Sequence, residues 1–286
     1  MGGEVATRVT LWGTRGSLAS PGPDTARYGG NTSCVSVEGN EGTVLVLDAG
    51  TGLRRLTTAL PQPLTRVDVL LTHLHLDHLQ GLGFFGPLYQ EGVEIHVWGP
   101  GGVTHKLGKR LTRYLSPPLF PVHLRSLPSN LQLHETGEGE REIGEFRVRS
   151  DYVCHPGPTI GYRIENVGAV MAYLPDHEPA LGVQDFPGDP EWTSGYGLAR
   201  EADLLIHDAQ YTPEQYASHV GWGHSSIEDA IRFGELARVR QLVLFHHDPQ
   251  HTDDDLDRIG KEALEMVEGP EIVTLAREGD SYELGR

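Results

Sequence analysis

The sequence contains little cysteine, and its two cysteines, Cys34 and Cys154, each lie in an apolar, strand-like run. Two such thiols argue against a disulfide framework, and we interpret both as small buried hydrophobic residues rather than as ligands or nucleophiles. No apolar run approaches the roughly 20 residues that a membrane-spanning helix needs. The start of the chain, residues 1–9, also lacks the apolar region of a signal peptide. These absences favour a cytoplasmic protein that does not enter a membrane.

Positive charge is scarce as well. The 286 residues include 23 Lys and Arg against 40 Asp and Glu, which gives a formal net charge of −17 at pH 7. So acidic a chain argues against wholesale binding to a large nucleic acid or to an anionic membrane. The segment 95–134 differs, because it has no acidic residue but contains the basic residues Lys106, Lys109, Arg110, Arg113 and Arg125. This segment is either a solvated basic helix face or a basic flap over a site that accepts an anion.

Turns dominate the expected architecture, since the chain contains 36 glycines and 19 prolines. Strand-like runs occupy residues 8–12, 34–37, 44–47, 67–71, 93–97, 146–153, 159–164, 170–173, 204–206 and 242–245. Helical patterns are found at 102–115, 227–236 and 254–267, with Ser225 or Ser226 expected to cap the second and Asp253 or Asp254 the third. Strands in the first half and alternating strands and helices in the second predict two packed sheets with helices outside, as one α/β domain over residues 1–286.

One segment looks like an insertion into this domain. Residues 99–129 join a Gly-Pro-Gly-Gly turn and the basic helix to Ser116-Pro-Pro-Leu-Phe-Pro121, an apolar loop stiffened by proline. We interpret the segment as a lid, in which Lys106, Lys109, Arg110, Arg113 and Phe120 are candidate substrate-binding residues. A contact between two copies of the chain is the alternative role.

The most informative motif is Thr-His-Leu-His-Leu-Asp-His at residues 72–78, directly after an apolar run. Side chains at i and i+2 of an extended chain project to the same side, so His73 and His75 can bind one ion together. Asp77 and His78 lie at the turn beyond and can reach a second ion. Imidazole and carboxylate without thiolate suit zinc, manganese or iron, and they argue against a closed structural zinc site. The alternative is a histidine-rich surface turn.

Two ions need further ligands, and suitable residues follow other predicted strands. They are His155, Asp176, and one of His246 and His247. Side chains at the ends of rigid strands are well suited to build a precise site.

The pattern as a whole resembles the metallo-β-lactamase superfamily, and within it the ribonuclease Z-like and cyclic phosphodiesterase branch. The resemblance spans nearly the whole chain and rests on residues 11–17, 29–33, 47–52, 72–78, 155, 173–176, 207–209, 223–225 and 242–246. It implies a four-layer αββα sandwich that holds two divalent metal ions, with zinc favoured over manganese or iron. A tendency to form homodimers is also expected from the resemblance.

The resemblance assigns roles residue by residue. His73, His75 and His155 would hold the first ion, and Asp77, His78 and His246 the second, with Asp176 bridging both. A hydroxide shared by the ions would be the nucleophile, which makes Asp77 part of the catalytic site. Asp48 lies at the end of an apolar run, and we expect it to accept the N–H of a ligand imidazole rather than to bind an ion itself.

A second pair carried over from the family lies outside the metal ligands. In the similar phosphodiesterases, a histidine of a Gly-His-Ser turn donates a proton at the substrate phosphate, and an acidic residue orients it. Here these residues would be His224 and Asp208, because a carboxylate orients an imidazolium and favours its charged form, and the imidazolium can then donate its proton. The alternative is that His224 only caps a helix. His207 is expected to be a core histidine.

We therefore expect a hydrolase of small phosphodiesters, such as cyclic nucleotides or a phosphoribosyl cyclic phosphate. The alternatives are a tRNA 3′-processing endonuclease and a carboxyl- or thioester hydrolase of the same superfamily. No arm rich in Gly and Pro that could grip tRNA is evident in the sequence, and the net charge of −17 also disfavours a large polyanion. An inactive metal-binding regulatory protein is the alternative from a different functional class.

Overall fold

Two seven-stranded sheets form the centre of the protein in a computed structural model, which describes residues 7–179, 186–267 and 272–285. The first sheet has the order β14-β1-β2-β3-β4-β5-β6, with β1 Thr7–Gly13, β2 Cys34–Glu38, β3 Val44–Leu47, β4 Arg66–Leu70, β5 Glu94–Pro100, β6 Asn130–Thr136 and β14 Ser281–Leu284. The second has the order β13-β12-β11-β10-β9-β8-β7, with β7 Gly139–Ile143, β8 Phe146–Tyr152, β9 Ile160–Asn166, β10 Ala169–Leu174, β11 Leu204–Asp208, β12 Gln241–Phe245 and β13 Ile272–Leu275.

The α-helices among the described residues are α1 Leu53–Thr57, α2 Leu107–Tyr114, α3 Tyr196–Ala199, α4 Pro213–Tyr216, α5 Ile227–Ala237 and α6 Asp253–Met266. Helices α5 and α6 pack their apolar faces, including Phe233 and Ile259, on the outer side of the second sheet. Helices α1 and α2 bury Leu56 and Leu111 on the outer side of the first. A third core, which includes Tyr173, joins the two sheets. The predicted four-layer αββα sandwich is confirmed.

Parallel strands determine where the polar side chains gather. Strands β3, β4, β5 and β6 run parallel in the first sheet, and β10, β11, β12 and β13 run parallel in the second. Both faces of β3 and β12 are covered, which explains their continuous apolar sequences. The carboxyl ends of β3, β4, β10, β11 and β12 lead directly into residues 48, 72–78, 176, 208 and 246. These ends form one edge of the sandwich.

Several predicted boundaries were wrong. Helix α2 begins at Leu107 rather than at residue 102, because the Glu135 carboxylate of β6 accepts the Leu107 N–H at 2.9 Å. Helix α6 is capped by Thr252, not by Asp253 or Asp254. The Thr252 hydroxyl accepts the N–H of Asp255 at 3.2 Å.

Asp253 has a different role from the expected cap. Its carboxylate accepts the backbone N–H groups of Arg27 and Tyr28 at 2.8 and 3.2 Å. For helix α5 the cap is Ser226, one of the two serines expected, since its hydroxyl accepts the Asp229 N–H at 3.0 Å. Strands β6, β7, β13 and β14 were not predicted.

Within the predicted lid, α2 buries Leu107 and Leu111, and the lid function stays a prediction. Cys34 is buried as expected, whereas Cys154 is half-buried. Among the described residues, no helix is both long enough and apolar enough to cross a membrane.

Candidate metal centre

Seven side chains from the strand ends converge in two clusters that could each hold a metal ion. The first cluster contains His73, His75, His155 and Asp176, and the second contains Asp77, His78, Asp176 and His246. Within each cluster the candidate ligand atoms lie within 4.8 Å of one another. These are the residues to which the resemblance assigned the two ions, in the same two groups.

Asp176 belongs to both clusters, and its two carboxylate oxygens face different ones. Oδ2 lies 3.7 Å from Nε2 of both His73 and His155. Oδ1 lies 2.9 Å from His78 Nε2 and 3.3 Å from His246 Nε2. A carboxylate placed in this way can bridge two cations, which a neutral imidazole cannot do.

The chemistry of the two clusters fits metal ions. His73 Nε2, His78 Nε2 and Asp176 Oδ1 are buried atoms for which the described residues provide no hydrogen bond of acceptable geometry. Buried polar atoms without a partner are rare in proteins, and ions bound in the two clusters would explain all three. The donor set of imidazoles and carboxylates is the one that zinc and related ions prefer.

The imidazole atoms that point away from the clusters are fixed by hydrogen bonds. His78 Nδ1 donates to Asp48 Oδ2 at 2.8 Å, and His155 Nδ1 donates to the Gly223 carbonyl at 2.8 Å. His246 Nδ1 donates to Gln210 Oε1 at 2.9 Å. Each bond sets the tautomer so that Nε2 has its lone pair toward the cluster, as is usual for histidines that bind metal.

Asp48 connects several of these groups. It is fully buried and accepts from the backbone N–H of Thr72, from the Thr72 hydroxyl and from the Tyr173 hydroxyl as well as from His78. The Thr72 hydroxyl in turn lies 3.0 Å from His73 Nδ1. One carboxylate therefore orients an imidazole of each cluster, directly for His78 and through Thr72 for His73.

Burial keeps two of the imidazoles neutral, and neighbouring groups keep the Asp77 carboxylate charged. Burial lowers the pKa of His155 to about 4, and it also lowers the pKa of His73, so both are neutral at pH 7, the form that binds a metal. Burial opposes the charge on Asp77, but the adjacent His78 and His246 lower the pKa of this carboxyl well below its ordinary value.

The glycine-rich motif of residues 13–17 forms the wall beside the second cluster. The Ser17 backbone N–H donates to Asp77 Oδ2 at 2.8 Å. A Cβ atom at Gly16 would lie only 2.3 Å from His246 Nδ1, so only glycine fits there. The fully buried Arg15 donates to the carbonyls of Gly29, Asp248 and His251 and so connects three loops.

His224 and Asp208 form a buried pair next to both clusters. His224 Nδ1 lies 2.6 Å from Asp208 Oδ2, and the His224 ring lies 5.0 Å from the rings of both His155 and His246. The cap of α5 is Ser226, so His224 is not needed for that purpose. Burial opposes the imidazolium of His224, but Asp208 outweighs burial and raises the pKa of His224 to about 9.

Comparison with known proteins supports the family that the sequence resembles. Residues 43–247 match the family described as the beta-lactamase superfamily domain. The chain belongs to the metallo-β-lactamase superfamily.

Similar proteins fall on the ribonuclease Z-like branch. The chain is 25% identical to "Ribonuclease Z" of Thermococcus onnurineus over 86% of this chain and 88% of the relative. In structure it is similar to human tRNase Z, short form (TM-score 0.66, 24% identity, 96% of this chain and 98% of the other). A diphosphatase from the PhnP family is also similar (TM-score 0.68, 16% identity, 98% and 99%). The prediction that the chain is a metal-dependent hydrolase of the metallo-β-lactamase superfamily is confirmed.

His247 and His207, two further histidines at strand ends of this metallo-β-lactamase fold, lie outside the two clusters. His247 Nε2 donates to the Ala276 carbonyl at 2.8 Å, which turns it away from the site and leaves His246 as the residue at the cluster. His207 is fully buried and pairs with His177 Nδ1 at 2.8 Å, as a core histidine would.

Sequence reasoning missed Glu178, a fully buried carboxylate that holds the loop before His224. Its Oε1 accepts the Tyr216 hydroxyl at 2.9 Å and the Gly221 N–H at 2.7 Å, and its Oε2 accepts the Gly223 N–H at 2.8 Å. Gly223 also provides the carbonyl that orients His155. The position of Glu178 directly after Asp176-His177 is the sequence signal that could have identified it. Gln210, which orients His246, was missed as well, although it follows Asp208-Ala209.

The candidate substrate-binding residues lie on and after helix α2. Lys106, Lys109 and Arg113 are exposed, and Arg110 Nη1 donates to the Pro100 carbonyl at 3.1 Å. The Phe120 ring packs edge-on against Phe84, at a centroid distance of 5.7 Å. A role of these residues in substrate binding stays a prediction.

Proposed function

We propose that this protein is a phosphodiesterase that uses two divalent metal ions to hydrolyse small phosphodiesters, such as cyclic nucleotides or a phosphoribosyl cyclic phosphate. The observation that carries the proposal is the sharing of Asp176 between two ligand clusters beside the buried pair of His224 and Asp208. Phosphodiester cleavage needs charge neutralisation at phosphorus, an activated water and a proton for the leaving oxygen, and this arrangement can supply all three.

The residues of the chain have separate tasks in this reaction. When bound, the two ions supply an activated water and neutralise charge on the phosphate oxygens. His224, held protonated by Asp208, donates its proton to the leaving alkoxide. Asp48, Gln210 and the Gly223 carbonyl keep the ligand imidazoles in the required tautomers.

We propose zinc as the native metal, with manganese or iron as the alternatives. Imidazole and carboxylate ligands without thiolate suit all three, and zinc is the ion most often held by such sets in hydrolases. A homodimer in the cytoplasm is the state we expect the enzyme to adopt.

Transfer-RNA 3′ processing is the second candidate function, and the names of the similar proteins favour it. The net charge of −17 argues against it, because tRNA is a large polyanion. The basic residues Lys106, Lys109, Arg110 and Arg113 would then have to provide the contact to tRNA.

The test is hydrolysis of bis(p-nitrophenyl) phosphate by the purified protein supplied with zinc or manganese, with a chelator control. We expect metal-dependent release of nitrophenol, and then turnover of cyclic nucleotides in preference to a precursor tRNA. Cleavage of precursor tRNA at its 3′ end with greater kcat/KM would favour the second candidate. No release while two ions are bound would contradict phosphodiester cleavage and would point to carboxyl- or thioester hydrolysis.

The same assay separates a working enzyme from a metal-binding regulatory protein. His224→Ala should lose turnover but keep its metal ions, since His224 is not one of the seven cluster residues. A regulatory protein without activity would show no turnover before the substitution either.

A further inference from the structure

The loop that leads into His224 displays an exposed tryptophan. Trp222 is 60% exposed, although large aromatic side chains usually contribute to stability by being buried. Only Gly223 separates it from His224, so its Cα lies within about 7 Å of the Cα of His224. Exposure alone does not indicate a ligand, since Trp192 is 77% exposed, but Trp222 also lies next to the candidate proton donor.

The loop is held rigidly in this conformation. Gly221 and Gly223, which flank Trp222, have φ values of 85° and 88°, a region that favours glycine. Glu178 accepts the backbone N–H of both glycines, at 2.7 and 2.8 Å. A Cβ atom at Gly223 would lie 2.5 Å from His155 Nδ1, so the loop lies directly against the first cluster. The exposed indole is therefore preorganised and not simply carried on a loose segment.

Aromatic rings connect Trp222 back to His224. The His219 ring lies 4.7 Å from Trp222, edge to face, and it stacks on Tyr211 at 4.5 Å with an interplanar angle of 24°. Tyr211 in turn lies 6.0 Å from the His224 ring. Support of this kind fixes the orientation of the indole and leaves more than half of its surface open.

We propose that Trp222 is a stacking subsite for a planar base, which makes nucleotides the substrate class of this enzyme. The inference rests on the proposed phosphodiesterase function. In a nucleotide one sugar separates the base from the phosphate. Trp222, which would contact the base, is likewise separated by one residue from His224, which would contact the phosphate. Stacking on an aromatic side chain contributes roughly 1–3 kcal/mol per base and accepts any base, because every base has a π-face.

Binding measured by calorimetry tests the subsite without requiring turnover. The zinc-loaded protein is titrated with adenosine 5′-monophosphate and, separately, with ribose 5-phosphate, which lacks the base. We expect the wild type to bind the nucleotide more tightly. Trp222→Ala should weaken nucleotide binding roughly 10- to 100-fold and leave the affinity for ribose 5-phosphate unchanged, whereas Trp222→Phe should retain most of the difference.

Trp192→Ala is the matched control, because it removes another exposed indole, 77% exposed, and should change neither affinity. The proposal would be overturned if Trp222→Ala bound adenosine 5′-monophosphate as tightly as the wild type, or if the wild type bound both compounds equally. Failure of the proposed function is a separate result, because it shows as absent phosphodiester hydrolysis in the wild type whatever the titrations give.

Discussion

The Asp208 carboxylate contacts His224 Nδ1 at 2.6 Å, and this pair is buried beside the two candidate metal clusters. Asp208 also accepts the backbone N–H groups of His177, Gln210 and Ser225, so its position is determined by three other loop residues. Because these three N–H groups fix the carboxylate, it stays directed at the His224 imidazole. The pair therefore determines both the orientation and the charge of His224.

Asp208→Asn should shift the pH dependence of turnover. In the wild type the pKa of His224 is raised to about 9, so the imidazolium persists through neutral pH and is lost as the pH rises through 9. Without the Asp208 carboxylate, burial is opposed only by the charges of Asp176 and Asp77, so the pKa of His224 falls from its value in the wild type. We expect the basic limb of the kcat profile for bis(p-nitrophenyl) phosphate to move to lower pH, with turnover at pH 8 reduced roughly 10-fold or more.

The control for this variant is Asp257→Asn. Asp257 lies on helix α6, and its carboxylate pairs with Arg27. This control should leave the pH profile unchanged. An unchanged basic limb in Asp208→Asn would show that His224 is not the proton donor.

Asp176→Ala should abolish both metal retention and activity. Asp176 is the residue common to the two clusters, so its loss removes one ligand from each. We expect the metal content, measured by mass spectrometry after dialysis, to fall from two ions per chain, and turnover to fall by more than about 100-fold.

Asp68→Asn is a suitable comparison, because Asp68 is an equally buried carboxylate, but it pairs with Arg66 and accepts from Trp98 away from the clusters. This variant should lose stability and keep its metal. Turnover like that of the wild type in Asp176→Ala would rule out the two-ion mechanism.

Glu178→Gln should weaken the site without touching a ligand. The amide would place an N–H group against one of the loop donors that Glu178 accepts, either Gly223 or Tyr216 and Gly221. Displacement of Gly223 would affect its carbonyl contact to His155 and the position of His224. We expect zinc affinity, measured by competition with a chelator, and kcat each to fall roughly 10- to 100-fold.

Glu145→Gln provides the control, since Glu145 likewise accepts two backbone N–H groups of a turn, those of Asn40 and Glu41, at the opposite end of the sandwich. It should change neither quantity. If Glu178→Gln altered only the melting temperature, Glu178 would be structural and would not position the site.

Thr252→Ala should destabilise the fold and spare the activity. Its hydroxyl accepts the Asp255 N–H and its own N–H donates to the Asp255 carboxylate, which together form a capping box for α6. Loss of such a cap costs about 1 kcal/mol, or roughly 2 °C in melting temperature for a chain of this size. Thermal unfolding checks this, and Thr252→Ser should behave like the wild type.

Much of the fold could be predicted, because the buried strands are continuous apolar runs. Strands such as β3 and β12 are covered on both faces and are evident in the sequence. Strand β6 (Asn130–Thr136) was missed because much of it is polar and half-buried or exposed. Strands β13 and β14 are as short as β3, but most of their residues are half-buried or exposed, so they lack a continuous apolar run. The cap of α6 was misassigned because three consecutive aspartates follow Thr252, and Asp253 is used for a distant loop instead.

The sequence by itself determined which side chains could bind metal, because every candidate ligand follows a strand, most of them a continuous apolar strand such as β4, β10 or β12. It also determined the pairing of His224 with Asp208 through the family motifs. Only the tertiary structure decided that the oxygens of Asp176 face different clusters, that His246 rather than His247 reaches the second, and that Glu178 holds the loop carrying Trp222. These facts depend on side-chain directions and on contacts between residues up to 170 or so positions apart, such as His246 with Asp77. Local sequence patterns contain no information about such distances.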